Sequence, residues 1–207
     1  MAVHSAAKAK GTAPDKRERI LRAAIKVFAK NGFYATRVSE IAKAAGVADG
    51  TIYLYFKNKD DVLISIFEDG ITRLLEIIRG VAASDDPVER RIQRIIELQL
   101  GLLEDQRDLA EVITVNLRQS SKLLKQYGTP LFMEYIDVLA GVIEEGQKEG
   151  AFRKSHSPRV AARALFGALD AILLTWALGD ADPAALRRSA GQCATLFLDG
   201  LREPESD

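Results

Sequence analysis

Apolar residues recur along this chain at intervals of three and four, the spacing of one face of an α-helix. Strict alternation of apolar and polar residues, the mark of a half-buried strand, is not found in it. Ile20, Leu21, Ala24, Ile25 and Phe28 give the first stripe, over about Asp15 to Lys30. Asp15 and Glu18 have the spacing of a capping box at its start, and Asn31-Gly32 supplies a stop. Lys16, Arg19, Lys26 and Lys30 fall on the opposite face. Thr36 then stands where a cap is expected, with Val38, Ile41, Ala42 and Ala45 facing inward. Gly46 follows at a sharp turn, where glycine tolerates a positive φ. A third helix of roughly Ala48 to Tyr55 is too short to be stable alone. Asn58 and Asp61 cap a fourth helix, whose stripe Val62, Leu63, Ile66, Phe67, Ile71, Leu74 and Leu75 runs on to about Val81.

The second half continues the pattern. Pro87 suits a first helical turn, and Val88, Ile92, Ile95, Ile96, Leu100 and Leu103 form the apolar face behind it. Asp105-Gln106 marks a bend before a shorter helix from Leu109 to Leu117. A long helix follows over about Lys122 to Gly150, kinked or split at Gly128-Thr129-Pro130. Pro158 opens a strongly apolar helix ending at Leu178, and Asp182 caps a last one from Pro183 to about Leu201. The expected fold is all-α with about nine to ten helices: a flexible tail over 1–14, a helix-turn-helix domain over 15–60 with its motif at 37–56, and a helical domain over 61–203. The run Val160–Leu178 is nearly long enough to span a bilayer. Arg163 and Asp170 interrupt it and no basic flank follows, so a buried globular helix is expected, with no membrane contact.

Charge changes the picture more than composition does. The net charge of the 207 residues is zero, yet residues 1–60 hold twelve Lys and Arg against five Asp and Glu, and the remainder holds seventeen against twenty-four. This asymmetry points the N-terminal part toward a polyanion. Residues 1–16 contain no apolar signal-peptide core. The single Cys193 excludes an internal disulfide and suits a reducing cytoplasm. With two histidines and that one cysteine, no zinc site is expected. No P-loop, no G-x-G-x-x-G and no histidine-based nucleophile system occurs, so the chain is not read as an enzyme, and no metal or cofactor is assigned.

Helix, glycine turn and short helix together make the helix-turn-helix arrangement, in which the second helix enters a major groove wide enough for it. The run Gly46-Val47-Ala48-Asp49-Gly50-Thr51-Ile52-Tyr53-Leu54-Tyr55-Phe56-Lys57-Asn58-Lys59 closely resembles the DNA-binding signature of TetR-family transcriptional regulators, with the likeness covering about residues 15–65. It implies operator contacts from Thr36, Arg37, Thr51, Tyr53, Tyr55 and Lys59, with Thr51, Tyr53, Tyr55 and Lys59 mostly on phosphates. Asp49 and Leu54, with Arg37, stand where base edges are approached. Asp49 either accepts from a cytosine N4 or caps the helix. Gly50 admits the backbone, and Lys57 flanks a helix N-terminus where anions are favoured. Phe56, spaced from Ile52, reads as core.

One short helix reads few base pairs, so a two-fold homodimer on palindromic double-stranded DNA is expected. Ala161, Ala164, Ala168, Ala190 and Ala194, with Leu165, Ile172, Leu186, Cys193 and Phe197, are the interface candidates on the last two helices, as the resemblance also implies. The resemblance further implies an effector cavity in the middle layer. Its candidate lining is Leu102, Leu103, Val112, Val115, Phe132, Tyr135, Ile136, Leu139, Phe166, Leu173 and Trp176, with Asn116, Arg118, Gln119 and Asp170 to orient a polar head. The plain alternative is that most of these residues fill a core. Leu63-Ile64-Ser65, Leu117-Arg118-Gln119-Ser120, Phe166-Gly167 with Asp170, and Thr175-Trp176 narrow the resemblance to the FadR-type repressors of fatty-acid degradation. That branch implies repression relieved by a long-chain acyl-CoA. Coenzyme phosphates need cations near the mouth of the cavity, and Arg118, Lys122, Lys125 and Arg153 are the candidates. Another hydrophobic effector, such as a drug or a free fatty acid, is the alternative, with control of efflux or other metabolism.

Overall fold

The computed structural model describes residues 15–116, 129–180 and 182–203. Among them, nine α-helices and one π-helix follow in order: α1 (Lys16–Asn31), α2 (Val38–Ala45), α3 (Asp49–Ile52), α4 (Lys59–Ala82), α5 (Val88–Gly101), α6 (Arg107–Glu111), the π-helix (Val112–Asn116), α7 (Thr129–Glu149), α8 (Pro158–Leu178) and α9 (Pro183–Leu201). The only β-type pairing among these residues is an isolated bridge between Phe152 and Arg202.

Two apolar cores divide the chain. Ile20, Ala24, Phe28, Ile41, Ile52, Phe56, Val62 and Leu63 are buried together in the first. The second gathers Ile78 of α4, Ile92, Ile95 and Ile96 of α5, Ile136, Leu139 and Ile143 of α7, and Leu165 and Leu169 of α8. Helix α4 belongs to both. Its first turns bury Val62–Ile66 in one core and its last turns bury Leu75, Ile78 and Val81 in the other. Helix α8 is anchored in the second core by Ala162, Leu165, Leu169 and Trp176, while other faces of it remain exposed. An ion pair joins α5 to α7 where Arg91, almost fully buried, meets the Glu145 carboxylate at 2.8 Å and also donates to the Ala82 carbonyl at 2.7 Å.

Several caps follow the sequence. Asn58 accepts from Asp61 N–H at 2.8 Å and Asp182 accepts from Ala184 and Ala185 N–H at 3.0 Å. Others differ. Asp15 makes no side-chain cap bond, and the Glu18 carboxylate pairs with its i+4 partner Arg22 instead of closing a capping box. Thr36 does not cap α2. The N-cap is Arg37, whose N–H donates to the Glu40 carboxylate at 2.7 Å, and the Thr36 hydroxyl instead donates to the Gly32 carbonyl at 2.8 Å. Helix α3 is one turn shorter than the spacing predicts and passes into turns over residues 53–55. The helix expected over Leu109–Leu117 begins at Arg107 and widens into the π-helix.

Candidate nucleic-acid interface and effector layer

The turn between α2 and α3 is built first. Gly46 sits in the left-handed region at φ 64°, and the Val47 N–H donates back to the Ala42 carbonyl at 3.0 Å. Arg19 reaches over from α1 and donates to the Ala45 carbonyl at 2.8 Å. A cation is favoured there by the unsatisfied carbonyls of a helix C-terminus. Helix α3, with four residues, has no independent stability. Ile52, fully buried, and Phe56 tie it to the first core. Arg17 lies over the Phe56 ring at 5.8 Å and is gripped by Asp69 of α4 at 2.9 and 3.2 Å. That hydrogen-bonded partner raises the Arg17 pKa.

With Ile52 and Phe56 inward, the neighbouring side chains point out. Tyr53 is 58% exposed and Leu54 80%, Tyr55 is also exposed, and Arg37, Asp49, Gly50 and Lys57 are exposed with them. Thr51 is half-buried. A large exposed apolar group beside two tyrosines is unusual for a solvated face and suits an interface. The α4 N-terminus is doubly capped, since the Asp61 carboxylate accepts from Lys57 N–H at 2.8 Å while Asn58 accepts from Asp61 N–H.

Two residues expected on this face are elsewhere. Thr36 is only 2% exposed and its hydroxyl is committed to Gly32, so its side chain does not present itself to DNA. Lys59 turns inward: its ammonium donates to the carbonyls of Phe33, Tyr34 and Thr36 at 2.7, 3.1 and 2.8 Å, and lies 4.7 Å from the Phe33 ring centroid. All three donors of the amine are thereby engaged, which leaves none for a phosphate. The sequence gives no role to Tyr34 and places Arg19 only on the polar face of the first helix. Tyr34 is a large exposed side chain in the loop that Lys59 holds, and only its place directly after a buried Phe33 signals it.

The residues expected to line an effector cavity divide. Tyr135, Ile136, Leu139 and Leu173 are buried in the second core. The Tyr135 hydroxyl donates to Gln99 at 2.6 Å, and burial pushes its pKa up. Phe132 and Phe166 are half-buried and meet edge to face at 4.7 Å, with Tyr135 5.6 Å from the same Phe166 ring. Leu103 and Val115 are half-buried, and Leu102 is exposed. The Trp176 indole N–H donates to the Asp182 carbonyl at 2.8 Å, so it secures the α8–α9 connection. Val112 is a correction, because it is buried in the first core rather than in this layer. Asn116 is another, because its side-chain oxygen accepts from Phe33 N–H at 2.8 Å instead of facing a cavity. Asp170 is half-buried and has an interaction partner. Arg118, Gln119, Lys122 and Lys125 lie outside the described residues.

The last two helices leave a groove of about 490 Å³ between them, lined in part by Val160, Ala161, Ala164, Ala168, Leu196 and Phe197. Cys193 also lines it, and burial raises its thiol pKa. Ile172 is half-buried. Leu165, Leu186, Ala190 and Ala194 are buried in the chain's own core, so they are not free to meet a partner. Val160 and Leu196, the latter 77% exposed, are large apolar side chains of the same groove that the sequence does not single out.

Comparison with known proteins agrees over both halves. Residues 20–66 match the profile of bacterial regulatory proteins of the tetR family, and residues 67–200 match that of the YsiA-like C-terminal region. The chain belongs to the TetR family. It is 36% identical over 162 residues to the fatty acid metabolism regulator protein of Bacillus subtilis, spanning 78% of this chain and 84% of that one. Two solved structures are also alike. The fatty acid degradation regulator FadR from Bacillus halodurans is 35% identical, with a TM-score of 0.84 over 93% of this chain and 100% of that one. FadR from Bacillus subtilis, solved in complex with stearoyl-CoA, is 34% identical, with a TM-score of 0.81 over 88% of this chain and 97% of that one.

Proposed function

We propose that this regulator is a cytoplasmic repressor of fatty-acid degradation genes, binding a palindromic operator as a homodimer and leaving it when a long-chain acyl-CoA binds. The observation that carries the effector is the similarity, across both domains, to regulators of fatty acid metabolism, one of them solved with stearoyl-CoA. The DNA contact is supported by the outward set Arg37, Asp49, Gly50, Tyr53, Leu54, Tyr55 and Lys57 around a short helix. Tyrosine hydroxyls and lysine amines hold phosphates and set register, while Asp49 and Leu54 meet base edges.

An acyl chain is apolar and long, so it needs a tunnel between apolar helices. Tyr135, Ile136, Leu139 and Leu173 close the middle layer here, and the half-buried Phe132–Phe166 pair stands at its edge. A ligand that separates these side chains moves α7 and α8 relative to α4 and α5. Because α4 is buried in both cores, that displacement shifts the recognition helices away from the spacing of successive grooves. Ligand and operator then oppose each other through linkage.

Titration of acyl-CoAs of increasing length into the full-length protein on its operator, read by mobility shift, tests this reading. Operator affinity falls with stearoyl-CoA and falls less with short acyl chains. Unchanged affinity at every chain length rejects the acyl-CoA assignment.

A further inference from the structure

Helix α4 is not the sole connection between the two cores. The segment from Arg107 to Asn116 makes a second one, and polar bonds fix both of its ends. At its start the exposed Arg107 guanidinium donates to the carbonyls of Ala177 and Gly179, at 3.0 and 2.9 Å, and so holds the C-terminal end of α8. Along its length Leu109 packs against the first core and Val112 is fully buried within it. At its end Asn116, 2% exposed, accepts from the Phe33 N–H in the loop between α1 and α2.

The Asn116 bond is not incidental packing. A buried backbone N–H left without a partner is costly, and the Phe33 N–H is satisfied from 83 residues away by the effector domain. The same Phe33 residue offers its carbonyl and its ring face to Lys59 at the start of α4. The Phe33 peptide is therefore held by Asn116 on one side and by Lys59 on the other. The turn that carries Asn116 is also the one π-helical stretch among the described residues, a rare local geometry that recurs at functional sites.

We propose that Asn116 is a positioning residue for DNA binding. It sets the angle at which the effector domain carries the recognition helix, and the segment with Arg107 at its other end is a strut running from α8 to the helix-turn-helix domain. The inference rests on the reading of α8 and α9 as the dimer face, because only then does the strut fix the separation of two recognition helices. Its signature is selective: loosening it impairs engagement of two half-sites together and leaves binding to one half-site intact.

The test uses the full-length protein and two DNA probes, a palindromic site selected from random DNA by the wild-type protein and one isolated half of it. Asn116→Leu keeps the side-chain size and removes the acceptor, and Asn116→Asp keeps an acceptor oxygen. Asn116→Leu is expected to lose about tenfold in affinity for the palindrome, the loss that follows when one net hydrogen bond favours the operator-binding arrangement over the others. Its half-site affinity stays at the wild-type value, and Asn116→Asp recovers most of the loss. Arg107→Met, at an exposed position, gives the same palindrome-selective loss and carries the test alone where Asn116→Leu does not fold. Wild-type palindrome affinity in Asn116→Leu, or in Arg107→Met where that variant stands alone, overturns the proposal. So does an equal loss on both probes, which marks damage to the DNA-binding domain itself. Wild-type protein that binds the two probes equally overturns the two-fold reading and the strut with it. Insensitivity to stearoyl-CoA alone rejects the effector and leaves the strut standing.

Discussion

The Lys59 ammonium lies 2.8 Å from the Thr36 carbonyl oxygen, and this contact decides which of two roles the lysine has. With Phe33 and Tyr34 sharing the same amine, Lys59 is a tie between the start of α4 and the α1–α2 loop. Lys59→Met leaves those carbonyls without that donor and is expected to cost about 1–3 kcal/mol of stability. Operator affinity falls with it, but the salt dependence of binding keeps its slope, since no phosphate contact is lost. Lys57→Ala does the reverse: its melting temperature is unchanged and its salt slope drops by about one. Thermal unfolding and binding at several salt concentrations separate the two. A reduced salt slope in Lys59→Met would restore the phosphate reading.

Gly146 has a second-core ring where its side chain would be. A Cβ there meets Phe152 Cδ2 at 2.3 Å, and Phe152 is fully buried. The Gly146 carbonyl also accepts from Ala151 and Phe152 N–H, which fixes the turn after α7. Gly146→Ala is expected to destabilise by about 1–3 kcal/mol through overpacking. Denaturant titration checks it, and a wild-type midpoint contradicts the packing.

The Arg91 hydrogen bond holds the Glu145 carboxyl below the usual carboxylate range. A depressed folded-state pKa means stability that is present above the unfolded carboxylate value, about 4.3, and is lost as pH falls through the lower folded value. Glu145→Gln is therefore expected to be less stable than wild type at pH 7, with the gap narrowing as the pH drops below about 4. Parallel melting curves at the two pH values test the sign. A gap that stays constant with pH removes the charge from the account.

Leu196 is the most exposed large apolar side chain of α9, at the rim of the groove that Val160 and Phe197 also line. Leu196→Asp is expected to weaken self-association by about 30-fold or more, as removal of a central interface anchor does. Sedimentation velocity over a range of concentrations reads this directly. An unaltered dimer places the interface elsewhere.

Much of this was legible in the sequence, for a physical reason. Helical periodicity and cap chemistry are local, so Asn58, Asp182, Gly46 and the ends of α8 and α9 fall where spacing puts them. The outward face of α3 was legible too, because Ile52 and Phe56 fix the inward one. What escaped depends on distant partners. Lys59 looks like a phosphate ligand until three carbonyls from another loop surround it. Asn116 looks like a ligand-orienting amide until Phe33 arrives from 83 residues away. Leu165 and Leu186 carry the same apolar signal whether they face a partner or their own core, and periodicity does not tell the two apart.

The central claim is that operator and long-chain acyl-CoA compete through one conformational equilibrium, and linkage makes that claim reciprocal. The decisive measurement is the dissociation constant of stearoyl-CoA for the full-length protein, free and saturated with operator. Operator is predicted to weaken stearoyl-CoA binding by the same factor by which stearoyl-CoA weakens operator binding. Equal stearoyl-CoA affinity for the free and the operator-bound protein would contradict the account.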